Sequence, residues 1–101
     1  PMAFGSSVVR ILVVEDDPKV ARFLQRGLEA ERHVVEIART RAHALRRAAS
    51  GAFDLLILDQ ELFGRDGYDV LQHLRRDGTS TGVIVLASNG ASEDRIRALE
   101  G

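Results

Sequence analysis

The segment Val8–Pro18, with the sequence VVRILVVEDDP, decides the fold. Up to Val14 it is almost wholly apolar and rich in β-branched side chains, which is typical of a strand buried on both faces of a parallel sheet. Three acids, Glu15, Asp16 and Asp17, end this run. Asp17 also predicts the start of a helix, because an aspartate caps the first N–H groups and the proline after it fits the first turn. A buried strand followed directly by a helix indicates an α/β protein.

The pattern of a strand followed by a helix occurs four times along the chain. The later predicted strands are His33–Ala38, Asp54–Leu58 and Val83–Leu86. The apolar residues expected to face the sheet are Val20, Phe23, Leu24 and Leu28 in the first helix, Ala42, Leu45, Ala48 and Ala49 in the second, Val70, Leu71 and Leu74 in the third, and Ile96 and Leu99 in the fourth. This alternation predicts a doubly wound parallel sheet with right-handed crossovers. We expect one domain over residues 8–101, preceded at residues 1–7 by a disordered leader or a cloning remnant.

The composition excludes several classes of protein. Of the 101 residues, 45% are hydrophobic and 29% are charged, as in an ordinary globular domain. The net charge of −1 gives no electrostatic basis for binding nucleic acid or a membrane surface. The sequence contains no cysteine, which excludes disulfides, thiolate zinc sites and thiol catalysis. Because no apolar run approaches the ~20 residues of a membrane span and no secretory signal is visible, we expect a cytoplasmic location.

Acidic side chains follow two of the predicted strands. Glu15, Asp16 and Asp17 follow the first strand, and Asp59 follows the third. An acid at a strand end is often only a helix cap, and Asp17 fits that role. In open α/β sheets, however, ligands bind at the carboxyl ends of the strands, and crowded carboxylates there need a cation. The pattern therefore predicts a Mg²⁺ site that handles phosphate, with Asp59 as the nucleophile that becomes an aspartyl phosphate.

Three stretches together resemble the receiver domains of bacterial two-component response regulators. They are Arg10–Pro18 (RILVVEDDP), DLLILDQEL around Asp59, and Gly64–Arg75 (GRDGYDVLQHLR). Glu93–Gly101 (EDRIRALEG) is similar to the subfamily whose receivers are fused to winged-helix DNA-binding domains. The resemblance covers nearly the whole chain from Val8 onward. It implies the flavodoxin-like, CheY-like fold, with the four predicted strands in the order 2-1-3-4.

The resemblance also implies roles for the acidic residues. Asp59 is the expected phosphoacceptor, and Asp16 is the expected direct ligand of Mg²⁺. Glu15 would act on the metal through water, and Asp59 and the backbone carbonyl of Glu61 would complete the site. A sensor histidine kinase would donate the phosphoryl group, and the domain itself would catalyse the transfer onto Asp59 to control an output such as transcription. DNA would be contacted only through a fused domain.

The sequence departs from the family pattern near its end. The family has Thr or Ser followed by Ala after the fourth strand, whereas this chain has Ala87 followed by Ser88, so both are candidates for the switch position. The sequence ends before the family's fifth strand and helix, which carry a lysine that pairs with the phosphoryl group. Lys19, the only lysine, is expected to be a solvated surface residue. Since the fourth strand would then be an edge, either the chain belongs to a longer protein or it self-associates through that edge by element exchange.

Two other functions stay open at this point. A pseudo-receiver would keep the fold as a protein-interaction module that phosphorylation does not regulate. The absent lysine and the displaced hydroxyl favour it, and the intact acids oppose it. A flavin-binding domain of the same strand order would need a hydroxyl- and glycine-rich loop after the first strand, where this chain has three acids that would repel a phosphate.

Overall fold

A computed structural model describes residues 8–62 and 65–86, with the backbone alone for Arg65 and Asp66. The strands are β1 (Arg10–Val14), β2 (Val34–Ala38), β3 (Leu55–Asp59), β4 (Glu61–Leu62), β5 (Arg65–Asp66) and β6 (Gly82–Leu86). The helices are α1 (Pro18–Ala30), α2 (Arg41–Ala49) and α3 (Gly67–Arg76). The predicted leader and the predicted fourth helix lie outside the described residues. None of the helices in the described part of the chain has the length and apolar content that crossing a membrane requires.

Four strands form one parallel sheet in the order β2-β1-β3-β6. This confirms the predicted order 2-1-3-4, because β6 is the fourth predicted strand. β1 lies between β2 and β3, and its residues Ile11–Val14 are at most 2% exposed. The loop predicted after Asp59 is partly wrong, since β4 and β5 pair there as a short antiparallel ribbon.

The helices cover both faces of this sheet. One core contains Leu12 and Leu58 together with buried residues of α2 and α3. The other core contains Ile11 and Val13 together with Leu24 of α1. Successive residues of β1 enter opposite cores because side chains alternate along a strand. The predicted doubly wound architecture is therefore confirmed.

Two helices begin at the caps that the sequence predicts. Asp17 Oδ1 accepts a hydrogen bond of 2.9 Å from the Lys19 N–H, and Pro18 is the first helical residue of α1. Thr40 Oγ1 accepts a bond of 3.2 Å from the His43 N–H at the start of α2. These bonds satisfy N–H groups that have no partner within the helix.

The predicted sheet-facing stripes of α1 and α2 are wrong in detail. Phe23 is 67% exposed, because it projects from the side of α1 away from the buried stripe. In α2 the buried residues are Ala44 and Ala48, whereas the predicted Ala42 and Ala49 are exposed. At 3.6 residues per turn, positions 44 and 48 share one face of the helix, and positions 42 and 49 lie off it.

Glu36 and Arg47 form an ion pair that joins β2 to α2. Arg47 Nε and Nη2 donate to the two carboxylate oxygens at 2.6 and 3.1 Å. Both side chains are 36% exposed. The Arg47 guanidinium lowers the pKa of the Glu36 carboxyl, first through this hydrogen bond and also through its charge.

We expect Glu36→Gln to lower the free energy of unfolding at neutral pH by about 0.5 kcal/mol, because a solvated ion pair contributes little. A lowered folded-state pKa contributes stability above the ordinary value of 4.5, and this contribution is lost as the pH falls through the folded-state pKa. Urea unfolding at neutral and acid pH should show the difference between parent and variant shrinking in acid. A difference of the same size at both pH values would contradict this.

Candidate functional site

The register of the sheet brings the ends of β1 and β3 side by side. Val14 pairs with Leu58, so Glu15 and Asp59 occupy the next position on each of the two neighbouring strands. Both side chains are 1% exposed, and within the described residues they are the two buried charged groups. The structure therefore concentrates two carboxylates at the carboxyl edge of the sheet, as the sequence predicts.

Glu15 is held by hydrogen bonds on both sides. Its N–H donates to the Ala38 carbonyl at 3.1 Å, which extends the contact between β1 and β2 by one residue. Its Oε2 accepts a bond of 3.0 Å from the Asp17 N–H, in the turn that leads into α1. Asp16, between them, is exposed. This turn thus supplies one buried and one solvent-accessible carboxylate at the same edge.

The backbone around Asp59 is fixed by three neighbours. Asp59 pairs with Leu86 in β6, and the Gln60 N–H donates to the Leu86 carbonyl at 2.8 Å. The Glu61 N–H donates to Asp59 Oδ1 at 3.1 Å. The Gln60 carbonyl accepts a bond of 2.5 Å from the Gly67 N–H, so α3 begins directly on this segment.

Gly67 is the first residue of α3 and has no room for a side chain. A Cβ at this position would collide with the carbonyl oxygen of Asp59 and lie 3.2 Å from that of Gln60. Both obstacles are backbone atoms, which cannot rotate away. The sequence contains Gly67 as part of the GRDGYDVLQHLR motif, but its contact with Asp59 depends on tertiary packing that no local signal reveals.

The other predicted site residues have mixed outcomes. Glu61 lies in β4, with an exposed side chain and its backbone next to Asp59. Lys19 is exposed in the first turn of α1. Ala87 and Ser88 lie outside the described residues. Among the residues that are described, no group of three or more His, Cys, Asp or Glu side chains is arranged to hold a metal ion.

The oxygen donors at this edge suit Mg²⁺ by their chemistry. Glu15 and Asp59 have buried carboxylates here, Asp16 follows Glu15 directly, and the backbone of Glu61 adjoins Asp59. Mg²⁺ prefers such hard oxygen ligands, and it commonly takes only one or two carboxylates while keeping several waters. A magnesium site of this kind therefore needs no convergence of three side chains.

Comparison with known sequences identifies the family of this chain. Residues 11–101 match the family described as the response regulator receiver domain. The chain belongs to this family. The match includes the acids after β1, the Asp59 strand and α3, and so covers the whole of the described site.

Similar proteins include bacterial transcriptional regulators and solved receiver structures. TcrA of Mycobacterium tuberculosis is 43% identical over 95 residues, which cover 94% of this chain and 38% of TcrA. PcoR of Escherichia coli is 35% identical over 91 residues, which cover 90% of this chain and 40% of PcoR. The chain therefore spans about two fifths of the length of these relatives.

A solved structure confirms the fold. The response regulator TrrA of Thermotoga maritima, in complex with Mg²⁺ and BeF, matches with a TM-score of 0.73 and 32% identity. The match covers 88% of this receiver and 76% of the TrrA chain. The predicted flavodoxin-like, CheY-like fold is therefore correct.

Proposed function

We propose that this receiver accepts a phosphoryl group on Asp59 from a sensor histidine kinase, with Mg²⁺ held by Asp16, Glu15, Asp59 and the Glu61 carbonyl. The proposed output is control of transcription through a fused DNA-binding domain, in line with the transcriptional regulators it resembles. The observation that supports it most is the burial of Asp59 beside Glu15 at the carboxyl edge of the central strands.

The proposed reaction uses the Asp59 carboxylate as the nucleophile. One of its oxygens forms a bond to phosphorus while the bond from phosphorus to the donor's histidine nitrogen breaks. The Glu61 N–H, 3.1 Å from Oδ1, holds the plane of the carboxylate during this attack. Mg²⁺, when bound, would offset the negative charge of the phosphoryl oxygens.

The pseudo-receiver reading is not favoured. Glu15 and Asp59 are each 1% exposed, and burial of a carboxylate costs hydration energy. An interaction module without phosphorylation would gain nothing from keeping both acids at this edge. Functional sites often contain residues such as these, which lower the stability of the fold.

Reaction with a small phosphodonor distinguishes the two functions. The full-length gene product, incubated with acetyl phosphate and Mg²⁺, should gain the mass of one phosphoryl group. No gain in mass would favour the pseudo-receiver. The reaction is proposed to take place in the cytoplasm.

The exposed face of α1 offers a docking surface for the phosphodonor. Phe23 is 67% exposed, and with Lys19, Arg22, Arg26 and Gly27 it lines a groove of about 520 Å³. Lys19 lies in the first turn of α1, directly after the acidic turn, so one end of this groove lies near the proposed site. An aromatic side chain surrounded by cations suits an acidic partner surface with an apolar centre.

We expect Phe23→Ala to slow phosphoryl transfer from the kinase roughly tenfold. Aromatic side chains that become buried when two proteins bind contribute a large part of the binding energy. The rate with acetyl phosphate should not change, since a small donor needs no docking surface. Val34→Ala is the control, because Val34 is also exposed, at 55%, but lies on β2. Equal losses with both donors, or no loss with the kinase, would rule this surface out.

The outer edge of β6 is a second proposed contact. Among the described residues β6 lies at one end of the sheet, and Val83–Val85 are half-buried. We propose that this edge pairs with another strand, and self-association by element exchange is one way to supply it. Size-exclusion chromatography with intact mass distinguishes a monomer from an exchanged dimer.

A further inference from the structure

Arg41 and Asp69 form an ion pair between the first turns of α2 and α3. Arg41 Nε and Nη2 lie 3.1 and 2.9 Å from Asp69 Oδ2. The two side chains are 37% and 34% exposed. α2 follows the carboxyl end of β2, and α3 begins against the carbonyl of Asp59. The pair therefore lies on the same side of the domain as the proposed acceptor.

The first turn of α3 is packed directly against the acceptor segment. Asp69 is two residues after Gly67, whose N–H donates to the Gln60 carbonyl at 2.5 Å. Gly67 lies so close to the Asp59 carbonyl oxygen that a Cβ would not fit between them. A shift of this turn would either displace the acceptor backbone or break the bond to Gln60.

α2 is also held in place by contacts other than the ion pair. Thr40 caps the helix, and Ala44 and Ala48 are 1% and 2% exposed in the core. The position of α2 is therefore set mainly by its N-terminal cap and by its packing in the core.

We propose that the Arg41–Asp69 pair is a brace that holds the first turn of α3 against Asp59 and so positions the acceptor carboxylate. The expected effect of the brace on phosphorylation rests on the proposed function, whereas its expected effect on the first turn of α3 does not. Arg41 and Asp69 are positioning residues, because they act on Asp59 only through Gly67. A half-exposed ion pair adds little to global stability, but small displacements of reacting atoms slow reactions steeply.

The kinetic test uses the full-length gene product with acetyl phosphate and Mg²⁺. Arg41→Ala and Asp69→Ala should each lower the maximal rate of phosphorylation roughly fivefold, with the half-saturating donor concentration unchanged. The double variant should be no slower than either single variant, because both changes remove the same brace. Arg41→Lys, which keeps the charge, should retain most of the rate.

Arg47→Ala is the matched control for this test. It removes another ion pair of α2 with the same degree of exposure, but that pair reaches β2 instead of α3. Its rate of phosphorylation should equal that of the parent. A loss equal to that of Arg41→Ala would show a general effect on α2 and overturn the brace.

Amide hydrogen exchange at Gly67 tests the brace without phosphorylation. The Gly67 amide should exchange several-fold faster in Arg41→Ala and Asp69→Ala than in the parent or in Arg47→Ala. Unchanged exchange would overturn the brace, whether or not Asp59 accepts a phosphoryl group. Faster exchange with an unchanged rate of phosphorylation would overturn the positioning role. Faster exchange in a protein whose parent is never phosphorylated would support the brace and overturn the proposed function.

Discussion

Replacing Gly67 by alanine should lower the free energy of unfolding by about 3 kcal/mol, in the range of substitutions that force a backbone to move. The new Cβ would collide with the carbonyl oxygen of Asp59, which belongs to an interior strand of the sheet. α3 would therefore have to shift, and Val70 and Leu74, which are 2% and 1% exposed, would lose packing. Urea denaturation of the parent and the variant measures the change.

Gly27→Ala is the matched control for this substitution. Gly27 is also in a helix, but a Cβ there would have no atom of the described residues within 4 Å apart from its own helical backbone. Alanine should stabilise α1 by about 0.8 kcal/mol, because glycine is a poor helix former. The two alanine variants should thus change stability in opposite directions. Stabilisation by Gly67→Ala as well would contradict the close contact between α3 and Asp59.

Asp16→Asn should slow Mg²⁺-dependent phosphorylation roughly 100-fold. Mutating a residue that only hydrogen-bonds to a metal ligand typically lowers metal affinity or activity about 10–100-fold, and Asp16 is expected to be a ligand itself. The amide removes a negative charge that Mg²⁺ would contact directly. Asp16 is exposed, so the fold should stay intact. Rates measured against Mg²⁺ concentration should show partial recovery at high Mg²⁺.

Asp17→Asn provides the control for the loss of charge. Asp17 is the neighbouring exposed acid, and it caps α1 through Oδ1. Asparagine caps a helix as well as aspartate does, so this variant changes the charge and keeps the cap. Its rate should stay within about twofold of the parent. An equal loss in both variants would indicate a general electrostatic effect in place of a ligand at Asp16.

Much of the fold could be predicted from local sequence signals. The apolar run Ile11–Val14 predicts a strand buried on both faces, and that is its position in the sheet. Asp17 and Thr40 predict helix starts because capping depends on residues close in sequence. The adjacency of Glu15 and Asp59 also follows from sequence, once parallel strands are placed side by side.

The features that the sequence did not predict depend on contacts between distant segments. The exposure of Phe23 depends on how α1 is rotated against the sheet. The requirement for glycine at position 67 arises from the backbone of another strand, and the Arg41–Asp69 pair joins residues 28 positions apart. Apolar periodicity carries no information about which charged side chains will meet across two helices.

Peptide mass spectrometry of the phosphorylated full-length gene product tests the proposed function most directly. After reaction with a phosphorylated histidine kinase or acetyl phosphate in the presence of Mg²⁺, we expect one phosphoryl group, located on Asp59. Asp59→Asn should carry none, and removal of Mg²⁺ by a chelator should prevent the reaction of the parent. A phosphoryl group on another residue, or undiminished labelling of Asp59→Asn, would contradict the assignment of Asp59 as the acceptor.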